Sequence, residues 1–509
     1  MDQKKTFVVS TAIVYANASP HIGFALEQIY CDAMARAARL RGQRVTFMTG
    51  TDEHGQKIAR KAEDAEKDPQ TFTDEIAEEY RALAAKLSIS YTDFIRTTEP
   101  RHRASVEAFW ERVMNNGYIE KRTYRGLYCV GCEAFKTEKD LVDGKCPDHL
   151  VAPEMVEDEN YFFLLSKFGD RLNALYAERP DFVYPEEKFN EVKQMVAGGL
   201  EDISISRSTK FLTWGIPVPG DASQVIYVWF DALVNYLTVL GFPDDSYADR
   251  WPASWHIVGK EINRFHTVLW PAMLMAAGIE VPSRVGVHGW IHVDGQKMSK
   301  TIGNVIAPQD LLETFGLDGM RYLLLRYIPF NGDGDYSDHR FRERYDSDLA
   351  NNLGNLVFRV SNMLMKYRDG VVPAQASSVI SIDDISARYQ AAIASLSFDQ
   401  ALGIVWTELI DAANKLIEET KPWTLAKEGK ESELNDVLYR CLETLRLIAW
   451  MIRPCMPGTS DALLDQLGQT SDRDSVTWSA VMHWGVLEPG SKVALGQPMF
   501  PRLTPTESV

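Results

Sequence analysis

The sequence predicts an α/β protein: a parallel-sheet domain, broken by an insertion and followed by a bundle of helices. Three observations carry this. Near the start, "TFVVSTAIVY", "FALEQIYCDAMARAARLRG" and "RVTFMTG" follow one another. They read as an apolar, β-branched strand, a helix ending at Gly42 and a second strand, and a βαβ unit implies a parallel sheet. From about Tyr118 to Tyr227 the rhythm changes to cysteines, Gly, Pro and short strand-like pieces such as "NYFFLLS" and "WGIPVPGD". After about Tyr345 nearly everything has helix period, including "LANNLGNLVFRVSNMLMKYR" and "ALGIVWTELIDAANKLIEETKPW", as a helical bundle requires.

In chain order this gives a first half of the α/β domain over 1–117, an insertion over 118–227, a second half over 228–345 and a helical domain over 346–509. The second half carries "VIYVWFDALVNYL", "WHIVGKE", an apolar helix around "FHTVLWPAMLMAAG", and "VGVHGWIHV". No repeat or low-complexity tract interrupts the pattern.

The bounds agree. A chain of 509 residues has room for roughly three domains at about 150 residues each. With 45% hydrophobic and 25% charged residues it has ordinary globular composition. No run reaches the ~20 apolar residues that cross a bilayer, so no membrane partner is expected. Lys4 and Lys5 ahead of an apolar run imitate a signal peptide, but the run also fits a buried strand entering a ligand loop. Six cysteines are too few for a disulfide scaffold and suit a reducing, cytoplasmic compartment. The net charge of -17 argues against non-specific nucleic-acid binding through a basic surface. It leaves room for a local patch gripping a structured RNA.

Two loops can carry chemistry. In "NASPHIGFALEQ" a helix starts at a strand's carboxyl end, where unpaired backbone N–H groups and the positive helix end suit phosphate. Gly23 would admit a close ligand and His21 can donate to a phosphate oxygen; an ordinary βα turn is the alternative. In "GQKMSKTIGN", Lys297 and Lys300 flank Met298 and Ser299 between Gly295 and Gly303. Such a loop can close on a polyphosphate and stabilise leaving pyrophosphate, or can be a solvated basic turn.

In the insertion, Cys129 and Cys132 form one pair and Cys146 and His149 another, each separated by two residues. Paired knuckles of this kind can complete a closed Cys₃His site for a structural Zn²⁺. Cys31, Cys441 and Cys455 lie on helix-like apolar runs and read as core.

Together "HIGF" and "KMSKT" resemble the HIGH and KMSKS signatures of class I aminoacyl-tRNA synthetases, on a Rossmann-like sheet. The resemblance narrows to the methionyl-tRNA synthetase family through "YANASPHIGFALEQ", "TGTDEHGQKI", "YVWFDALVNYL", "GKEINRFHTVLWPAMLM" and "NKLIEETKPW". It implies a ligase that activates L-methionine with ATP and Mg²⁺ and charges tRNA(Met), the initiator included. His21, Gly23, Lys297, Ser299 and Lys300 would then meet ATP. Ala12, Ile13, Tyr15, Trp229, Ala232, Leu233 and Tyr236 match the methionine pocket, His288 a residue near the thioether, and Asp52 the carboxylate that holds the ammonium. Asn355, Arg359 and Trp423 match the contacts to the CAU anticodon. The insertion is too small for a separate editing domain, so homocysteine would be rejected within the synthetic site. Because the chain closes soon after the bundle, a monomer is expected.

Phe24 departs from the pattern, standing where the signature has its second histidine, and Thr301 replaces the final serine. A cysteinyl or leucyl relative and a non-catalytic RNA-binding paralogue are the alternatives.

Overall fold

The computed structural model describes residues 6–129, 134–136, 138–147, 150–298, 303–469, 472–496 and 498–503. They form two compact units, one made of Phe7–Pro20 and Thr46–His288, the other of His21–Val45 and the chain from Gly289 on.

The first unit is built on a seven-stranded sheet. β1 (Thr6–Thr11), β2 (Val14–Tyr15), β3 (Arg44–Asp52), β13 (Trp255–Gly259), β14 (Val285–His288) and β8 (Val183–Tyr184) run in the order β2-β3-β1-β13-β14-β8, and β4 (Asp93–Arg96) also pairs with β3. The registered pairs in it are parallel. β1 is buried along nearly its whole length, as the uninterrupted apolar run predicts for a strand covered on both faces. Beneath it Trp110, Phe230 and Trp270 join one apolar core. Trp110 and Phe230 meet edge to face with ring centroids 5.2 Å apart.

The span 118–227 carries two antiparallel sheets. One has the order β6 (Ala134–Lys136), β5 (Ile119–Cys129), β7 (Glu154–Phe163), β9 (Ile203–Ser204); the other β10 (Ser206–Ser208), β12 (Asp221–Ile226), β11 (Pro217–Val218). The same span also supplies β8 to the parallel sheet, paired to β14 through Val183 and Val285. A strand of two residues shows no periodicity, which is why the sequence reads the span as separate throughout.

In the second unit the helices Ile22–Leu40 and Pro308–Tyr327 pack together. Asp32, wholly buried, accepts from Arg321 at 2.6 Å and Arg36 at 2.7 Å. β15 (Ile291–Val293), β16 (Gln296–Lys297) and β17 (Gly334–Tyr336) form a small sheet in the order β16-β15-β17. Most of the other described residues are helical and pack around the long helix Glu431–Ile452, which is buried from Val437 to Ile452 except Arg440. Cys31, Cys441 and Cys455 are buried, as core thiols, and burial pushes Cys441 and Cys455 up to about 12.

Candidate active site

The residues expected to meet ATP belong to the second unit. His21 has extended backbone (φ -122°, ψ 173°) and caps the helix Ile22–Leu40. Its Nδ1 accepts from the Gly23 N–H at 3.1 Å. A neutral imidazole whose Nδ1 accepts carries its proton on Nε2, so His21 can present a donor. Gly23 has a more specific role than admitting a ligand: a Cβ there would lie 2.9 Å from His21 Cε1, so only glycine lets the ring fold back over the helix start. Phe24 is buried, with 8% exposure, and serves the apolar side of that helix.

The second signature leaves a hairpin. β15 and β16 pair through His292 and Lys297, joined by Asp294 and Gly295 with φ of 49° and 77°. Two successive positive φ values make the tight turn whose twist matches a hairpin. Lys297 is exposed, its ammonium 3.8 Å from the centroid of Trp290. Ser299, Lys300 and Thr301 lie outside the described residues. Beyond them the Ile306 carbonyl accepts from the Ile22 N–H at 3.2 Å. One backbone bond therefore joins the start of the first signature's helix to the exit of the second signature's loop.

The residues expected to meet methionine belong to the first unit. Tyr15 and Asp52 are partners in the β2–β3 register, and the Ala16 N–H donates to the Asp52 carbonyl at 2.9 Å. Ala12 donates to Ile257 O at 3.1 Å. This puts Ala12, Ile13, Tyr15 and Asp52 at the carboxyl ends of parallel strands, where open α/β sheets bind ligands. Trp229, on the helix Val228–Leu233 with buried Ala232 and Leu233, stacks on Phe265 with centroids 3.8 Å apart and planes 2° apart.

Tyr236 is buried, its ring 4.1 Å from that of His256 and its hydroxyl 2.8 Å from His266 Nε2. His266 Nδ1 lies 3.1 Å from the Ile262 carbonyl. A carbonyl only accepts, so Nδ1 carries the proton and the Tyr236 hydroxyl donates to Nε2. Burial drives His266 down to about 4, against the opposing pull of the Ile262 carbonyl, so the ring is neutral at pH 7. His288 is buried at the end of β14, opposite Gly259 in the register.

Sequence reasoning missed Phe265, His266 and Trp290. The first two sit where a π-turn, Phe265–Leu269, opens the apolar helix. A π-turn shifts side chains off the 3.6-residue pattern, so neither periodicity nor spacing marks them.

Of the metal-like cluster, Cys129 at the end of β5 and Cys146 are both buried. Cys146 sits in a tight turn, its carbonyl accepting from Leu150 at 2.7 Å and its N–H donating to Val151 O at 2.9 Å. Cys132 and His149 lie outside the described residues. Among the described residues no group of three or more metal-ligating side chains converges.

At the RNA end, Asn355 opens the helix Asn355–Arg368 and is exposed, with half-buried Arg359 one turn on. Trp423, in the helix Pro422–Lys427, is 46% exposed, which rules out a core tryptophan. Both helices pack on Glu431–Ile452. Among the described residues no helix is long and apolar enough to cross a membrane.

Comparison with known proteins agrees with this geometry. The family "tRNA synthetases class I (M)" matches residues 7–151 and 149–361, and "Anticodon binding domain of methionyl tRNA ligase" matches 373–508. The chain belongs to the methionyl-tRNA synthetase family. It is 45% identical to the methionine--tRNA ligase of Caldanaerobacter subterraneus subsp. tengcongensis over 98% of this chain and 79% of that one. Against the enzyme of Nostoc sp. it is 41% identical over 99% of both. Among solved structures, Mycobacterium tuberculosis methionyl-tRNA synthetase in complex with methionyl-adenylate superposes with a TM-score of 0.92 at 40% identity, covering 98% of this chain and all of that one. The apo form gives 0.87 at 37% identity, over 99% of both. As a member of the family the protein is a methionine-tRNA ligase: it activates methionine with ATP to methionyl-adenylate and pyrophosphate, then passes the methionyl group to the 3′ end of tRNA(Met).

Proposed function

We propose the following division of labour among the residues. The methionine ammonium is held by Asp52, and its side chain lies against Ala12, Ile13, Tyr15, Trp229, Ala232, Leu233 and Tyr236. His266, whose ring bonds the Tyr236 hydroxyl, joins His288 as a polar partner near the thioether. An unbranched, polarizable side chain suits aromatic walls with few polar groups.

His21 and Gly23, with Lys297, Ser299 and Lys300 of the loop, bind the ATP phosphates. The methionine carboxylate oxygen attacks the α-phosphorus, the bond to the β-phosphate bridging oxygen breaks, and pyrophosphate leaves. No enzyme nucleophile is needed; His21 Nε2–H and the lysine ammonium groups stabilise charge as it develops on the phosphates. Mg²⁺ accompanies the ATP and would supply further neutralisation. The bond from Ile22 to Ile306 is the observation that supports the reading most, since it ties the two signature segments together within one unit.

Cys129, Cys132, Cys146 and His149 would hold a structural Zn²⁺; the soft thiols and the turn at Cys146 fit it. Asn355, Arg359 and Trp423 read the anticodon, Trp423 by stacking, in initiator and elongator tRNA(Met). The chain works as a cytoplasmic monomer, with domains over 1–117, 118–227, 228–345 and 346–509, β8 apart.

Amino-acid-dependent ATP–pyrophosphate exchange with methionine, leucine and cysteine tests the reading. Exchange with methionine alone, lost in His21→Ala and Asp52→Ala, is expected. Equal exchange in the Asp52 variant would refute the assignment of the ammonium site.

A further inference from the structure

We infer that Asp231, His54 and His102 form a positioning unit of the methionine pocket, fixing the helix that carries Trp229 against the strand end that carries Asp52. The inference rests on the pocket reading above, and all residues involved belong to the same unit.

The Asp231 side chain is wholly buried. One carboxylate oxygen lies 2.6 Å from His54 Nδ1 and the other 2.7 Å from His102 Nε2. The second nitrogen of His102 lies 3.2 Å from Thr238 Oγ1. Burial alone would raise the acid's pKa, but the charge and hydrogen bonds of His54 and His102 outweigh it and hold the group below the usual carboxylate range. A buried carboxylate is tolerated only when it is paired and hydrogen-bonded, and apolar residues of equal volume often stabilise as well or better. Stability therefore does not account for placing three such groups together. What directed bonds supply, and apolar contact does not, is a fixed orientation.

The three groups come from separate elements that the pocket must align. Asp231 lies between Trp229 and Ala232 on Val228–Leu233. His54 is two residues past Asp52, and His102 comes from the helix Pro100–Asn115. The residue between Asp52 and His54 is anchored too. Glu53 is gripped by Arg96 at 2.7 and 2.9 Å and by Thr51 at 2.6 Å. The Glu53 carbonyl accepts from Trp214 Nε1 at 2.6 Å, and the Trp214 ring meets His54 with centroids 5.5 Å apart. The two residues that follow Asp52 are thus both anchored, and Asp231 links that stretch to the helix of Trp229. None of these groups needs to touch substrate.

The test uses the full chain and methionine-dependent pyrophosphate exchange, with separate KM values for methionine and ATP and an unfolding midpoint for each variant. Asp231→Asn and His54→Leu are expected to raise the methionine KM about 10- to 100-fold, the effect of an ångström-scale misplacement, while the ATP KM stays within about twofold. His54→Asn, whose amide N–H stands where Nδ1–H stood, should restore the methionine KM; His54→Gln, with its N–H one bond further out, should not. Should the harsher variants fail to fold, the Asn and Gln pair decides. Equal methionine KM for Asn and Gln, or methionine and ATP KM rising together, would overturn the inference. Trp229→Ala separates the two levels. If it leaves the methionine KM unchanged, the pocket reading fails and this inference with it. If it raises that KM and His54→Leu does not, only the positioning role falls.

Discussion

Trp229 is stacked face to face on Phe265, and Tyr236 is buried with its hydroxyl committed to His266. Lys297, by contrast, is exposed on a two-residue strand, with its ammonium over Trp290. One region has its aromatic side chains committed to one another, while the other has charge on a short hairpin. The difference fits the roles proposed for the two regions. Selecting one apolar side chain among others yields only about 1–3 kcal/mol per methylene, so walls must be held closely. Stabilising a departing pyrophosphate is served by ammonium groups on a loop that can follow the charge.

The comparison can be broken in several ways. The largest effect is expected from Lys297→Ala: exchange kcat falls about 100- to 1000-fold, as when a transition-state donor is removed, with an unchanged unfolding midpoint because the residue is exposed. A midpoint that drops would mean the lysine is structural.

Next comes pH. His266 goes from an ordinary 6.5 to about 4 on folding, so between these values the unfolded chain binds the proton that the folded chain refuses. Stability should be complete above about pH 6.5 and decline as pH falls toward 4, by about 3 kcal/mol from this group at 1.36 kcal/mol per unit. Buried His256, also lowered, adds in the same direction. His266→Gln, which keeps an acceptor for Tyr236, should flatten the decline in unfolding midpoint; an unaltered pH profile would place the titration elsewhere.

Trp229→Ala should raise the methionine KM by about tenfold or more, worth roughly 1–3 kcal/mol, with kcat changed little. Trp423→Ala should weaken tRNA charging by about 1–3 kcal/mol for one lost stacking contact and leave pyrophosphate exchange untouched, since exchange needs no tRNA. The smallest change in activity is expected from Phe24→His. Its ring is buried, so an imidazole there should cost roughly 1–3 kcal/mol of stability and alter exchange only slightly. A strong gain in exchange would show that the missing donor limits the reaction.

Much of this was legible in the sequence because the informative features are local. The βαβ pattern and the short motifs that place the chain in its family each depend on neighbours in the chain. What stayed hidden depends on distant pairing. His266 acquires meaning only when Tyr236, 30 residues away, bonds to it. Asp231 meets His54 across 177 residues and His102 across 129. β8 is too short to announce itself, and the π-turn at Phe265 moves its side chains off the expected face. The sequence marks Gly23 as a place where a ligand can approach, but not that a Cβ there would meet the His21 ring at 2.9 Å.

The central claim is that the pocket and the loop do separable work. The most direct test is exchange kinetics of Trp229→Ala and Lys297→Ala side by side, over full ranges of methionine and ATP. The account predicts opposite signatures: a raised methionine KM at nearly normal kcat for the first, and a collapsed kcat at nearly normal methionine KM for the second. If both variants change the same parameter, the division between a fixed wall and a charge-handling loop is wrong.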